Sequence, residues 1–142
     1  MTYLVDANVL SEPTKADPNP DVVRWLRRNE RQMAVDPIIL GEVRFGILVL
    51  PEGRRRKLLE EWFDVGVRAL HCVAWEAATG LRWAELLARL RRSGKAMPIK
   101  DSLIAATALA HDLTVATRNR RDFEGIEGLQ VLPVTLPQHA PG

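Results

Sequence analysis

Four carboxylates stand in surroundings that do not suit a stray charge. Asp6 closes the apolar run in "MTYLVDANVLSE", Glu42 interrupts "IILGEV", Asp101 interrupts "PIKDSLIAA", and Asp122 ends the basic stretch "TRNRRD". A carboxylate at the end of a buried strand is costly to desolvate unless something positive meets it. Gathering several would be worse: two like charges about 4 Å apart repel by roughly 4 kcal/mol at an effective dielectric of 20. A divalent cation converts that repulsion into a binding site. Oxygen donors without histidine or cysteine favour a hard ion, Mg²⁺, with Mn²⁺ able to substitute. His71, His111 and His139 have no ligand spacing, so zinc is not expected.

Such an ion, set among carboxylates, suits phosphoryl chemistry. It would acidify an attacking water and neutralise charge on a phosphate, with no histidine base required. Asn8 and Asn119 could orient acids or waters, and Thr117 could hold a water. Each residue also admits a plain structural role. Asp6 could cap the segment "NVL", Glu42 could face solvent, Asp101 could favour a helix dipole, and Asp122, Asn8, Thr117 and Asn119 could serve turns and caps.

The elements that must bring these residues together alternate in type. Residues 2–5, "QMAV", "ALHCV", "LTVAT" and "LQVLPV" read as strands. Between them, "NVLSEPTK" reads as a brief helix broken at Pro13. A helix in 17–29 would present Val22, Trp25 and Leu26, and another begins at Pro37. A helix in 52–66 would turn Leu58, Leu59, Trp62 and Phe63 inward. A long one from Trp75 to Arg92 would bury Ala78, Trp83, Leu86, Leu87 and Leu90, and "KDSLIAATALAHD" forms the last. "RNRRDF" reads as a loop or short helix. The pattern predicts an α/β fold, a three-layer α/β/α sandwich around a mainly parallel five-stranded sheet. Crossover helices run antiparallel to their strands, so their N-termini share an edge with the strand C-termini. Ligand sites of open α/β sheets lie along that edge. Asp6, Glu42, Asp101 and Asp122 all map to it.

The 142 residues suit one domain, expected over 1–134, with "TLPQHAPG" (135–142) as a flexible tail. Apolar residues make up 46% and charged ones 27%, a globular rather than disordered mix. Cys72 is the single cysteine, which excludes an internal disulfide and fits a reducing cytoplasm. No apolar run is long enough to span a bilayer. Net charge is only +2, yet sixteen of the twenty basic residues are arginine, clustered in "RWLRR", "RRRK", "ARLRR" and "TRNRR". "RRRK" and "ARLRR" read as solvated helix faces. The last lies beside Asp122, where a planar guanidinium would suit phosphate.

Taken together, "YLVDANVLSE", "GEVRFGI", "KDSLIAATALAHDLTVATRNRRDF" and "GLQVLPV" resemble a PIN domain of the VapC toxin type, from about residue 2 to residue 134. The block from Asp101 to Phe123, at its distance from Asp6 and Glu42, carries most of the specificity. The resemblance implies an endoribonuclease dependent on Mg²⁺ or Mn²⁺, with its acidic positions on Asp6, Glu42, Asp101 and Asp122. Asp6 and Asp101 are the expected metal ligands. Asn8, Thr117 and Asn119 fall on supporting polar positions. It further implies a homodimer and a cognate DNA-binding antitoxin that occludes the site. RNA would be held by arginines along the acidic edge, with Arg118, Arg120 and Arg121 the nearest candidates.

The chain departs from the pattern before the glutamate. Many members of that type carry small hydroxyl residues where "VDPIILGE" has Asp36 and Ile39. Asp36 is either an extra acid near the site or a cap for the helix at Pro37. Two other Mg²⁺ folds fit less well. A haloacid-dehalogenase phosphatase needs a second Asp where Asn8 stands, and a receiver domain needs an adjacent acidic pair. The remaining alternative is a PIN-like metal- or RNA-binding regulator without catalysis.

Overall fold

A computed structural model describes residues 1–134. The predicted tail, 135–142, and His139 within it lie outside the described residues.

Five short strands form one sheet: β1 (Tyr3–Val5), β2 (Met33–Val35), β3 (His71–Cys72), β4 (Thr114–Thr117) and β5 (Val131–Pro133). Every pairing is parallel, and the order is β3-β2-β1-β4-β5. Six helices connect them: α1 (Ala7–Leu10), α2 (Pro20–Asn29), α3 (Pro37–Leu48), α4 (Arg54–Val65), α5 (Ala77–Arg92) and α6 (Ile99–His111). The chain steps outward from β1 to β3 through α1 to α4, then returns to β4 through α5 and α6. Right-handed crossovers place those two groups on opposite faces, the three-layer arrangement the alternation predicts.

Local chemistry sets the helix starts. Asn19 accepts the Asp21 and Val22 N–H groups at 2.8 and 3.4 Å, with Pro20 at the first helical position. Asp36 accepts the Ile39 N–H at 2.9 Å, with Pro37 placed likewise. Proline suits that position because its missing N–H would have no intrahelical partner. The "NVLSEPT" segment splits: α1 ends at Leu10, and Pro13 sits inside a separate 3₁₀ turn, Glu12–Thr14. At the other end, α6 stops one residue short of the predicted Asp112, which takes a left-handed conformation with φ 55°.

Burial corrects two details. Leu58 and Ala78, expected inward, are exposed, and Thr79 is buried where α5 turns its apolar stripe. Cys72 is exposed, on β3, a two-residue strand at the edge of the sheet. In contrast, the small residues of α6 behave as expected. Ala105, Ala106 and Ala108 are essentially inaccessible, so this helix packs closely in the core with Ile104.

Strand register fixes the functional edge. Val5 pairs with Ala116, and Leu4 with Ala34, so β1, β2 and β4 end nearly level. The strand order reverses between β1 and β4, and a crevice opens at such a switch point.

Candidate active site

Asp6 follows the last residue of β1 and caps α1. Its Oδ1 accepts the Ala7 N–H at 2.8 Å, and its Oδ2 accepts the Thr117 hydroxyl at 2.9 Å. Its own N–H donates to the Ala116 carbonyl at 2.9 Å. Thr117 closes β4 and is fully buried; its hydroxyl oxygen accepts the Asn119 N–H at 3.0 Å. The Asn119 carbonyl then accepts the Asp122 N–H at 3.2 Å. One chain of hydrogen bonds therefore runs from Asp6 through Thr117 and Asn119 to the backbone of Asp122. Burial raises the Asp6 carboxyl above its ordinary range; the Thr117 hydroxyl opposes that rise and the Glu42 charge adds to it.

Asp101 lies in the first turn of α6 and is half-buried. Its carboxyl is pushed up to about 6, first by burial and then by the charges of Asp122 and Asp6, with Glu42 contributing and Lys100 opposing. The charges of the other three predicted acids thus all bear on Asp101. Asp122 is exposed, in the 3₁₀ turn Arg120–Phe123.

Glu42, in the second turn of α3, is engaged elsewhere. Its Oε2 accepts the Lys100 ammonium at 2.6 Å, while its Oε1 is buried with no hydrogen-bond partner. The Lys100 ammonium is held above its ordinary range by that same hydrogen bond. Among the described residues, no three His, Cys, Asp or Glu side chains stand close enough to hold one ion together. The edge gathers the acids, but it does not preassemble a coordination shell.

The donor set nevertheless fits a hard divalent ion. It consists of carboxylate oxygens, burial and the neighbouring acids together raise the Asp101 carboxyl, and the buried Glu42 Oε1 is left unsatisfied. Each of these deficits is relieved by a cation.

The other predicted residues divide. Asn8 is exposed in a groove of about 320 Å³ that runs from Ala7 past Glu42 and Val43 to Leu59 and Trp62. Arg120 and Arg121 are exposed, Arg120 reaching Glu124 only at 3.9 Å. Arg118 is committed inward. It pairs with Glu12, which is only 2% exposed and also accepts Lys15 at 2.9 Å and the Asn19 N–H at 2.8 Å. Burial alone would raise the Glu12 carboxyl, but these partners outweigh it and hold it below its usual range. Asp36 belongs to the scaffold: besides capping α3 it accepts the Thr107 hydroxyl of α6 at 2.7 Å, tying the helices of Glu42 and Asp101 together. Ile39 is fully buried in the core. A larger concavity, about 1010 Å³ along α4, contains none of the four acids.

Glu12 and Lys100 were not singled out by sequence. The signal for Lys100 was present in "IKD": a cation in the first turn of a helix opposes the helix dipole and calls for local anions.

A family model described as PIN domain matches residues 3–129. The VapC ribonuclease Y4jK of Sinorhizobium fredii is 32% identical, the alignment covering 91% of this chain and 94% of the relative. The toxin FitB of Neisseria gonorrhoeae is also 32% identical, over 84% of this chain and 89% of its own. A crystal structure of FitAcB from Neisseria gonorrhoeae superimposes with a TM-score of 0.86 at 30% identity, covering 95% of this chain and 100% of that one.

Proposed function

The chain belongs to the PIN domain family, and from that membership we propose that it is a divalent-metal-dependent endoribonuclease, the toxin of a toxin–antitoxin pair. The observation that carries this reading is the hydrogen-bonded run from Asp6 to Asp122 at the β1/β4 switch point, facing Asp101 and Glu42.

Asp6 and Asp101 would hold the ion, Mg²⁺ with Mn²⁺ as a substitute, flanked by Glu42 and Asp122. When bound, such an ion supplies Lewis acidity that acidifies water and neutralises phosphoryl charge. The protein's share is positioning. Thr117 and the Ala7 N–H occupy one lone pair on each Asp6 oxygen and fix its rotamer. Asp122, exposed in the turn after β4, would take a proton from a water attacking a phosphodiester at the acidic edge. That water's oxygen would form the new P–O bond as the bond to the leaving ribose oxygen breaks, and the departing alkoxide would take its proton from bulk water. Arg120 and Arg121 beside Asp122 supply phosphate contacts, giving RNA affinity that falls with salt.

The groove beside Glu42 suits an antitoxin segment, since its floor of Val43, Ile47, Leu59 and Trp62 would bury apolar side chains while the acids close. A homodimer and a cytoplasmic setting complete the reading; among the described residues no helix is long and apolar enough to cross a membrane.

The test is cleavage of a mixed structured-RNA pool by antitoxin-free protein in Mg²⁺, Mn²⁺ or EDTA, beside folded Asp6→Asn and Asp101→Asn. Metal-dependent cuts lost in both variants support the nuclease. Cuts that survive both would sink the site. Metal binding without any cuts would favour a regulator that binds but does not cleave.

A further inference from the structure

The Lys100 side chain does something the reaction itself does not require. It sits at the second position of α6, where a cation faces the positive end of the helix dipole and is disfavoured. Its ammonium nevertheless reaches across to α3 and meets Glu42 Oε2 at 2.6 Å. That contact is between residues 58 apart in sequence, so it is a tertiary choice rather than a local helix pair. The other Glu42 oxygen is buried and unpartnered, and no three acids stand together among the described residues. Lys100 itself is half exposed, so it can leave without opening the core.

We propose that Lys100 is an internal counter-cation that holds Glu42 in the metal-free protein and competes with the divalent ion for it. The inference rests on the metal-binding reading above. A hard divalent cation arriving at Asp6 and Asp101 must win Glu42 from the ammonium. Lys100 then swings to solvent or to a phosphate of the bound RNA. The device keeps the acidic edge folded and quiet when no metal is loaded, and it sets the metal concentration at which the site fills.

The direct test is calorimetric titration of Mn²⁺ into the full chain without RNA, at one fixed pH above neutrality. Wild type, Lys100→Met, Lys100→Arg, Glu42→Gln and the Lys100→Met/Glu42→Gln double variant are compared, with folding checked by circular dichroism. Removing one partly exposed ion pair should tighten Mn²⁺ binding by about two- to fivefold in Lys100→Met, and Lys100→Arg should stay near wild type. Most of the gain should disappear in the Glu42→Gln background, because the ammonium then has no carboxylate to withhold. Equal or weaker binding by Lys100→Met overturns the inference while leaving the metal site intact. An equal gain in both backgrounds also overturns it, since the effect is then general charge rather than the pair. If folded wild type binds no Mn²⁺, the metal-site reading fails and this inference fails with it.

Discussion

Thr117 and Asp6, 111 residues apart, are joined by a 2.9 Å hydrogen bond at the point where the strand order reverses. The hydroxyl donates to the one Asp6 oxygen that no backbone N–H reaches. It also accepts from Asn119, so a single side chain couples the end of β1 to the loop carrying Asp122.

Thr117→Val keeps the shape and removes both bonds. A buried carboxylate oxygen and a backbone N–H lose their partners, which predicts a loss of about 1–3 kcal/mol in urea unfolding. RNA cleavage should fall further than stability does, because Asp6 is no longer held. Full activity at reduced stability would show that the bond is scaffold only.

Asp101→Asn removes the carboxylate on which the others converge. Cleavage should drop by at least about a hundredfold, the scale of losing one positioned catalytic group, with the fold retained. Gel-based RNA cleavage beside a thermal melt checks both halves.

The raised Asp101 carboxyl has a consequence for stability against pH. Its value is about 6 in the folded chain against an ordinary 3.8. The folded state therefore binds the proton more tightly, and between those values it holds more protons than the unfolded state. Stability from this group is present in full below about 3.8 and is lost as pH rises through about 6. In EDTA the melting temperature should decline across that window, and Asp101→Asn should flatten the decline. Divalent ion should restore more stability above the window than below it.

The arginines of "TRNRR" should separate by role. Arg120→Ala and Arg121→Ala should weaken RNA binding across sequences and reduce the salt slope by about one each. Arg118→Ala should leave the salt slope unchanged and lower stability, since Arg118 faces Glu12 rather than solvent. Filter binding at several salt concentrations, with melts alongside, distinguishes them.

Glu12→Ala should be costly for an exposed-looking residue beside a proline. It strips the Asn19 N–H of its acceptor and leaves Arg118 and Lys15 without their shared anion. About 1–3 kcal/mol is expected from the part-buried donor that loses its acceptor, measured by chemical denaturation.

Much of this molecule was legible along the chain. Strand–helix alternation announced a parallel sheet, and Pro37 with Asp36 before it announced the start of α3. A parallel sheet forces the acids after β1 and at the heads of α3 and α6 toward one edge, so Asp6, Glu42 and Asp101 follow from the chain's own order of elements. Those inferences rest on periods of two and of 3.6 residues and on capping, which are properties of neighbours in sequence.

What the chain alone could not decide is which long-range partner each polar group takes. Asp36 reads equally as an extra site acid or a cap, and only the Thr107 hydroxyl approaching from α6 assigns it to the scaffold. Arg118 reads like Arg120 and Arg121 until the 3₁₀ turn brings Glu12 beneath it. Leu58 fits an inward stripe by spacing but faces solvent, because helical periodicity gives the face and not what covers it. Glu42 belongs to the acidic edge by position, yet its carboxylate is turned to Lys100. A buried charge takes the nearest compensating partner in space, and that is set by the packing of helices tens of residues apart.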